Sequence, residues 1–428
     1  MGQEPHIALD GPLTRLLQWA YPSMRMTPLE RQARTPLARL GKTFGPGLQK
    51  LIRFNGRLHS EESKDYARSF TPRPSDVFIV TYAKSGTTWL SCVAHHIRSN
   101  CSMDFDEISV VVPWDIAAQE CGQDLDAEQG FSPRLFKSHS LSEQIARGGR
   151  YVFLVREPRA VLVSMWRFFC MGAWPTYAGF REGEVTLRAF AAGVFASALN
   201  SGVWGQIVSW YRCCWADRGT LWLTYEDLSE RPARSIQQLA EFLLPDLQDV
   251  LSRDPALLER VQASTTKEAM LQHKEQFDDH FVLSCLDPFR HGDMLNRRPY
   301  VNKVQPPLAG APGGIRPDGE IAALLDGRWA HSVEPATGFR TYAELRAAIG
   351  GRANWTAEDF AAASVEVEAR RQSPESQGHP RLAVAVLALA LVGLLALGRR
   401  RRWGPWAVDL VQRALHRWRA SGPVLPRA

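Results

Sequence analysis

The chain has 428 residues, enough for one large α/β domain with appendages or for two ordinary domains. Its formal net charge of +6 suits anionic ligands or a membrane surface, but equally a solvated, arginine-rich surface. The seven cysteines form no CxxC pair and no regular spacing. Composition therefore argues against a disulfide framework and a zinc site, and indicates a reducing compartment.

Residues 1–70 are predicted to form a basic N-terminal extension. Between positions 11 and 60 the only acidic residue is Glu30, whereas the basic residues are Arg15, Arg25, Arg31, Arg34, Arg39, Lys42, Lys50, Arg53 and Arg57. No apolar stretch there is long enough for a secretory signal. An organelle transit peptide and a basic, partly ordered arm both fit this composition, and we favour the arm.

Residues 71–350 alternate between strand and helix patterns. The continuous apolar run DVFIVTY, at 76–82, is typical of a buried parallel strand. Further strands are predicted at 135–136, 151–155 and 221–225, and helices at 87–98, 158–170 and 231–244. This alternation predicts an α/β domain with a central parallel sheet flanked by helices. Ligands in such sheets bind at the carboxyl ends of the strands, and the motifs of this chain fall there.

The first motif, TYAKSGTTW, occupies 81–89 between the first strand and its helix. Main-chain N–H groups at a helix start hold an anion without any side-chain charge, and Gly86 lets the backbone approach a phosphate closely. Lys84 adds a positive charge, and hydroxyl donors come from Ser85, Thr87 and Thr88. The segment does not fit the nucleoside-triphosphate loop GxxxxGK[ST], because the lysine precedes the glycine.

This segment resembles the 5′-phosphosulfate loop, YPKSGTTW, of the sulfotransferases that use 3′-phosphoadenylyl sulfate (PAPS), and departs from it only at Ala83. The resemblance covers about residues 70–350. It implies a sulfotransferase fold related to the phosphate-loop NTPases and transfer of a sulfuryl group from PAPS to a hydroxyl or amine. By the same resemblance Lys84 stabilises the leaving group.

The segment PRLFKSH, at 133–139, is similar to the family's PRLxKTH. The resemblance assigns the catalytic base to His139 and charge stabilisation to Lys137. A histidine suits this work because its ordinary pKa lies near neutrality, and a nearby cation favours the neutral, proton-accepting form.

The segment REPRAVLVS, at 156–164, resembles the family's 3′-phosphate clamp, RNPxDxxVS. A bidentate guanidinium at Arg156 and a hydroxyl at Ser164 suit a phosphate monoester. Ala160 replaces the usual aspartate and Glu157 stands where asparagine is common, but neither position is expected to touch the phosphate.

Two aromatic residues are assigned to the adenine side of the cofactor site. TYED at 224–227 matches the family's YED, which maps its tyrosine onto Tyr225, and Trp89 would stack on the adenine ring. Both could equally be core aromatics. The segment STTKE at 264–268 is a weaker match, with Thr266 where an aromatic often sits.

The family usually closes over the 3′-phosphate with a late Arg-x-Gly element, for which two candidates remain open. One is RHG at 290–292, and the other is the stretch beginning at Asn302, where Gln305 occupies the arginine's place. The closing scaffold of the domain is predicted between Trp329 and Leu345.

Beyond the domain we predict a tether at 351–381, a transmembrane helix at 382–398 and a basic tail at 399–428. The apolar run LAVAVLALALVGLLALG is followed at once by four arginines, Arg399 to Arg402. Its length reaches the short end of a membrane span. The positive-inside rule and the absent signal give opposite orientations, and we favour a single-pass protein whose catalytic domain faces the cytoplasm.

The expected partners are a small-molecule or carbohydrate acceptor and a membrane, with no nucleic acid and no metal, since fixed cations would do a metal's work. The acceptor pocket is predicted to draw on 101–130 and 169–185, and the oligomeric state stays open. Two rivals remain: a nucleotide-dependent kinase, and a catalytically silent, membrane-tethered nucleotide-binding protein.

Overall fold

The computed structural model of the chain describes residues 44–197, 201–286, 303 and 315–373. The chain divides into two units, Met1–Arg371 and Gln372–Ala428. Nearly all described residues belong to the first unit, and of the second only Gln372 and Ser373 are described. The first unit contains the sheet and the residues of the candidate site.

Four parallel strands in the described part of the chain form one sheet, in the order β2–β1–β3–β4. Their bounds are Val77–Thr81 for β1, Leu135–Ser138 for β2, Arg150–Val155 for β3 and Thr220–Thr224 for β4. The predicted parallel sheet is thus confirmed, with strand ends within a few residues of those expected. Because β2 and β3 lie on opposite sides of β1, the chain changes direction across the sheet at β1, where such folds bind ligands.

Both faces of the sheet are buried, which explains the apolar strand sequences. All five residues of β1 are buried. Successive side chains point to opposite faces, so Phe78 and Val80 join one core cluster while Val77 and Ile79 join the other. A parallel sheet needs helices on both faces, and the amphipathic helices that follow the strands supply them.

The helices are numbered in chain order. They are α1 Pro46–Asn55, α2 Glu61–Ser69, α3 Thr87–Ser99, α4 Ile108–Val111, α5 Pro158–Cys170, α6 Trp174–Ala178, α7 Leu187–Phe190, α8 Gly202–Cys214, α9 Tyr225–Glu230, α10 Pro232–Leu243, α11 Leu247–Arg253, α12 Leu257–Ser264, α13 Lys267–Gln272, α14 His280–Cys285, α15 Gly319–Ser332, α16 Glu334–Thr337, α17 Tyr342–Arg352 and α18 Ala357–Gln372.

Three helices lie wholly in segments that the sequence assigned to appendages: α1 and α2 in the predicted N-terminal extension, and α18 in the predicted tether. Helix α1, within the predicted N-terminal extension, buries Leu48, Leu51 and Phe54 in the core. Helix α18, within the predicted tether, buries Ala363 and Val367, one turn apart. Apolar side chains at helical spacing tie both segments to the domain.

No helix among the described residues is long and apolar enough to cross a membrane. The predicted transmembrane helix at 382–398 and the basic tail at 399–428 lie outside those residues, as do positions 1–43. The predicted single-pass attachment therefore gains no support from the structure.

Candidate functional site

The four strands end at one edge of the sheet, and a predicted site residue follows each of them. The register pairs Val80 with Ser138, Thr81 with Leu154 and Val155 with Thr224. A cavity of about 1200 Å³ opens at this edge. Its lining includes the predicted residues Lys84, Gly86, Thr87, Thr88, Trp89, Lys137, His139, Arg156, Ser164 and Tyr225.

The loop after β1 is shaped for close approach of a ligand to the main chain. Gly86 is the N-cap of α3 and has a φ of 105°, in the region that favours glycine. A Cβ at Gly86 would lie 2.7 Å from Cδ2 of Tyr225, so the tyrosine ring leaves no room for a side chain. Because glycine has no side chain to accept hydrogen bonds from the first amides of α3, those amides stay available to an anion.

Ser85 differs from the other predicted loop residues because it does not line the cavity. Its side chain is buried, and its hydroxyl has no hydrogen-bond partner among the described residues. The main-chain N–H of Ser85 donates to the main-chain oxygen of Tyr82 at 3.0 Å.

The Lys84 ammonium group lies 4.0 Å from the centre of the Phe168 ring. Burial, followed by the charges of Lys303, Arg156 and Lys137 against the opposing charge of Asp279, lowers the pKa of Lys84 to about 7. The charged form of a lysine that lies among other cations is stabilised by an anionic ligand. A phosphosulfate would be such a ligand.

Two more lysines share one carboxylate in the cavity. The Lys137 ammonium lies 3.9 Å from Oδ1 of Asp279 and 4.2 Å from the centre of the Trp114 ring. Lys303 forms an ion pair with the other oxygen of Asp279. Burial, followed by the charge of Lys303, lowers the pKa of Lys137 to about 8. The single carboxylate of Asp279 thus lies beside two lysines and cannot balance both of their charges.

The His139 ring is held in one orientation. Its Nδ1 lies 2.8 Å from the main-chain oxygen of Thr81, and a carbonyl can only accept, so Nδ1 carries the hydrogen. In the neutral ring Nε2 is then the proton acceptor. Burial lowers the pKa of His139 to about 3, with a smaller contribution from Lys137, so the ring is neutral at ordinary pH. The amide of Gln206 braces the segment by donating to the main-chain oxygen of His139 at 3.0 Å.

Arg156 joins two parts of the site. Its Nη1 donates to the main-chain oxygen of Lys84 at 2.8 Å, and its guanidinium carbon lies 3.9 Å from the centre of the Tyr225 ring. Its Nε is buried and has no hydrogen-bond partner in the described part of the chain. Ser164, on α5, lines the same cavity. The two predicted clamp residues therefore converge on one space.

Trp89 and Tyr225 form an aromatic wall on this side of the cavity. Their ring centres are 5.4 Å apart at an interplanar angle of 70°. Nε1 of Trp89 donates to the main-chain oxygen of Thr265 at 2.8 Å, which fixes the indole against the 264–268 segment. Thr266 also lines the cavity.

Among the other lining residues, the following were given no individual role from the sequence: His59, Trp114, Asp279 and Lys303. Trp114 lies in the stretch predicted to line an acceptor pocket, as do Phe169 and Trp174 in the other such stretch. Lys303 lies in one of the two late candidate segments, where the family pattern pointed to Gln305. His59 and Asp279 stand in no recognisable motif, so only tertiary structure brings them here.

The rest of both late segments, including Arg290 and Gln305, lies outside the described residues, so the choice between them stays open. Within the part of the chain that is described, no group of three or more His, Cys, Asp or Glu side chains is arranged to hold a metal ion.

Comparison with known proteins gives a consistent family. The model of the Sulfotransferase domain matches residues 74–284. Human Sulfotransferase 4A1 is 30% identical over 228 residues, which cover 50% of this chain and 75% of the human protein. Dog (Canis lupus familiaris) Sulfotransferase 1B1 is 29% identical over 199 residues, covering 42% of this chain. The chain spans 62% of the dog protein's length, less than two thirds.

Solved structures resemble the chain less closely. A retinol dehydratase in complex with androsterone and the inactive cofactor PAP matches with a TM-score of 0.42 at 16% identity, covering 56% of this chain and 84% of the other. A mouse sulfotransferase complexed with PAP matches with a TM-score of 0.37 at 20% identity, covering 50% and 72%. Likenesses at these scores are weak.

Proposed function

Because this chain belongs to the family of PAPS-dependent sulfotransferases, we propose that it transfers a sulfuryl group from PAPS to a hydroxyl or amine of a small-molecule or carbohydrate acceptor. One observation carries the proposal. One cavity is lined by the N-terminus of α3 and by Lys84, Lys137, Lys303, Arg156 and a neutral His139, which come from the strand ends and the segments packed on them.

The residues present fit PAPS. The amides around Gly86, with Lys84, would hold the 5′-phosphosulfate, since Gly86 has no room for a Cβ and no side-chain cap. Arg156 and Ser164 would hold the 3′-phosphate, and the buried, unpartnered Nε of Arg156 supports this because a phosphate oxygen would satisfy it. Trp89 and Tyr225 would flank the adenine.

PAPS supplies the sulfuryl group, and the protein's part is positioning and charge stabilisation. Nε2 of His139 accepts the acceptor's proton as the new oxygen–sulfur bond forms and the bond from sulfur to the phosphate oxygen breaks. Lys84 and Lys137 stabilise the negative charge that collects on the departing phosphate. The products are the sulfated acceptor, adenosine 3′,5′-bisphosphate (PAP) and a proton held on His139.

The low pKa of His139 has two consequences for its proposed role as the catalytic base. The neutral ring is fully available to accept a proton at physiological pH. A ring with so low a pKa is a weak base in the empty site, and the anionic donor would raise that pKa by partly cancelling the surrounding lysine charges.

The decisive experiment is titration of PAP into the full-length protein by calorimetry, followed by an acceptor screen with sulfur-labelled PAPS. We expect PAP to bind and at least one hydroxyl or amine acceptor to be labelled. Folded protein without affinity for PAP overturns the proposal. Binding of PAP without turnover of any acceptor would favour the catalytically silent rival, and phosphoryl transfer from ATP would favour the kinase.

A further inference from the structure

His59 lies between α1 and α2, ahead of the matched family segment, yet it lines the same cavity as His139. Its side chain is only 9% exposed. Nδ1 of His59 lies 3.2 Å from Oε2 of Glu120, and the main-chain N–H of Ser60 donates to Oε1 of the same carboxylate at 2.8 Å. Glu120 therefore fixes the orientation of the ring.

This pairing decides which nitrogen of the His59 ring can act as a hydrogen-bond acceptor. An ionised carboxylate only accepts hydrogen bonds, so Nδ1 carries the hydrogen, and in the tautomer with its hydrogen on Nδ1 the other nitrogen, Nε2, bears a lone pair. Nε2 of His59 is buried and has no hydrogen-bond partner within the described ranges. Buried polar atoms are nearly always paired, and one left open in a ligand cavity indicates a partner brought by the ligand.

Trp114 places His59 close to the proposed site of reaction. The His59 ring meets the indole edge-on, with centres 4.6 Å apart at 78°, and the His139 ring does the same at 5.2 Å and 76°. Nε1 of Trp114 is also buried without a partner among the described residues. Two histidines thus pack on one indole and line one cavity.

We propose that Nε2 of His59 accepts a hydrogen bond from a second hydroxyl of the acceptor, so that the chain prefers diols to the matching monohydroxy compounds. This inference rests on the proposed sulfotransferase function. His139 takes the proton from the hydroxyl that reacts, while His59 holds the other hydroxyl and sets the position of the ring between them. Glu120 acts through His59 as a positioning residue.

The test uses the full-length protein, sulfur-labelled PAPS and a matched panel of phenol, catechol, resorcinol and hydroquinone. After correction for the two equivalent hydroxyls, we expect kcat/KM for at least one diol to exceed that for phenol by about tenfold, the effect of one hydrogen bond. His59→Phe should reduce this ratio to about one, mainly by raising KM for the diol.

Glu120→Gln provides a second variant that keeps the histidine. A carboxylate can only accept from Nδ1 of His59, whereas a glutamine amide can also donate to it. The ring hydrogen can then move to Nε2, which no longer accepts, and we expect a partial loss of the diol preference. Calorimetric affinity for PAP serves as the folding control and should be unchanged in both variants.

The outcomes separate the two proposals. Loss of PAP binding, or of all turnover, in the unmodified protein overturns the sulfotransferase proposal. If PAP binds and acceptors are labelled, the His59 proposal fails when no diol is preferred, or when the preference survives in His59→Phe.

Discussion

Arg156 is hydrogen-bonded through Nη1 to the main-chain oxygen of Lys84, 2.8 Å away, so the proposed 3′-phosphate clamp is tied directly to the proposed 5′-phosphosulfate loop. The same guanidinium lies over the Tyr225 ring. Tyr225 in turn packs where a Cβ of Gly86 would be. Through these contacts the two ends of the proposed nucleotide site are held together.

Replacing Arg156 with lysine should weaken PAP binding by about 10- to 100-fold. A planar guanidinium can donate to the main-chain oxygen of Lys84 and to a phosphate at the same time, whereas a lysine ammonium lacks this geometry. Adenosine 5′-monophosphate lacks the 3′-phosphate, so its affinity should fall much less. Calorimetry with both nucleotides measures the difference. Equal losses for both would assign Arg156 to loop structure rather than to the 3′-phosphate.

His139→Ala should lower kcat by about 10²- to 10⁴-fold, the usual contribution of a positioned general base. Because the ring contacts Thr81 and the Trp114 indole rather than the nucleotide loop, PAP affinity should change by less than about twofold. Single-turnover assays with labelled PAPS and calorimetry give the two values. A variant that keeps full sulfuryl transfer would remove the base assignment.

The affinity for PAP should decrease as pH rises from 7 to 9. Lys84 and Lys137 have pKa values of about 7 and 8 in the empty site, so both lose protons over this range, whereas an anionic ligand favours their charged forms. Binding must then take up protons, and the dissociation constant should rise by up to about tenfold per pH unit for each proton. Calorimetry in buffers of different ionisation enthalpy counts them.

Lys84→Met is the matched control for this pH dependence. It removes one titrating group, so proton uptake should fall by about one at pH 8 and the pH dependence should become shallower. Unchanged uptake in the variant, or an affinity that is flat between pH 7 and 9 in the unmodified protein, contradicts the lowered pKa values.

The sequence was informative where function lies in contiguous segments. The apolar run of β1 and the Lys84–Trp89 segment together predicted a buried strand, a glycine turn and a helix start, all of which the structure contains. It was uninformative where distant residues meet. Asp279 and Lys303 form an ion pair beside Lys137, and His59 packs on Trp114, but no local pattern marks either arrangement. Such contacts depend on tertiary packing, which composition and periodicity do not encode.

Gly86→Ala should reduce PAP affinity and lower stability by about 1–2 kcal/mol from backbone conformation alone, since φ is 105° at this position. The added methyl group must also displace the Tyr225 ring, which lies 2.7 Å from the Cβ position. Gly350→Ala is the control, because nothing lies within 4 Å of its Cβ position in α17, and there alanine should be neutral or slightly stabilising. Calorimetry and urea unfolding test both variants, and equal behaviour would contradict the steric explanation.

Arg134, in the same PRLFKSH segment as His139, serves the scaffold rather than the cavity. Its guanidinium makes two hydrogen bonds to Asp76, at 2.8 and 2.6 Å, with side-chain exposures of 5% and 0%. It also donates to the main-chain oxygens of Leu125 and Ala127 at 2.8 and 3.0 Å. These bonds fasten the chain before β2 to the residue that precedes β1.

Arg134→Ala should therefore lower the free energy of unfolding by about 3–5 kcal/mol, because it leaves a buried carboxylate without its counterion. Removing both charges, in Asp76→Asn with Arg134→Met, should cost less than the sum of the two single changes, since the residues form one network. Glu128→Gln breaks the exposed pair with Arg73 and should cost under about 1 kcal/mol. Urea unfolding of these variants, including Asp76→Asn and Arg134→Met as single changes, measures these differences. If Arg134→Ala were as mild as Glu128→Gln, the Arg134–Asp76 pair would not stabilise the fold as expected.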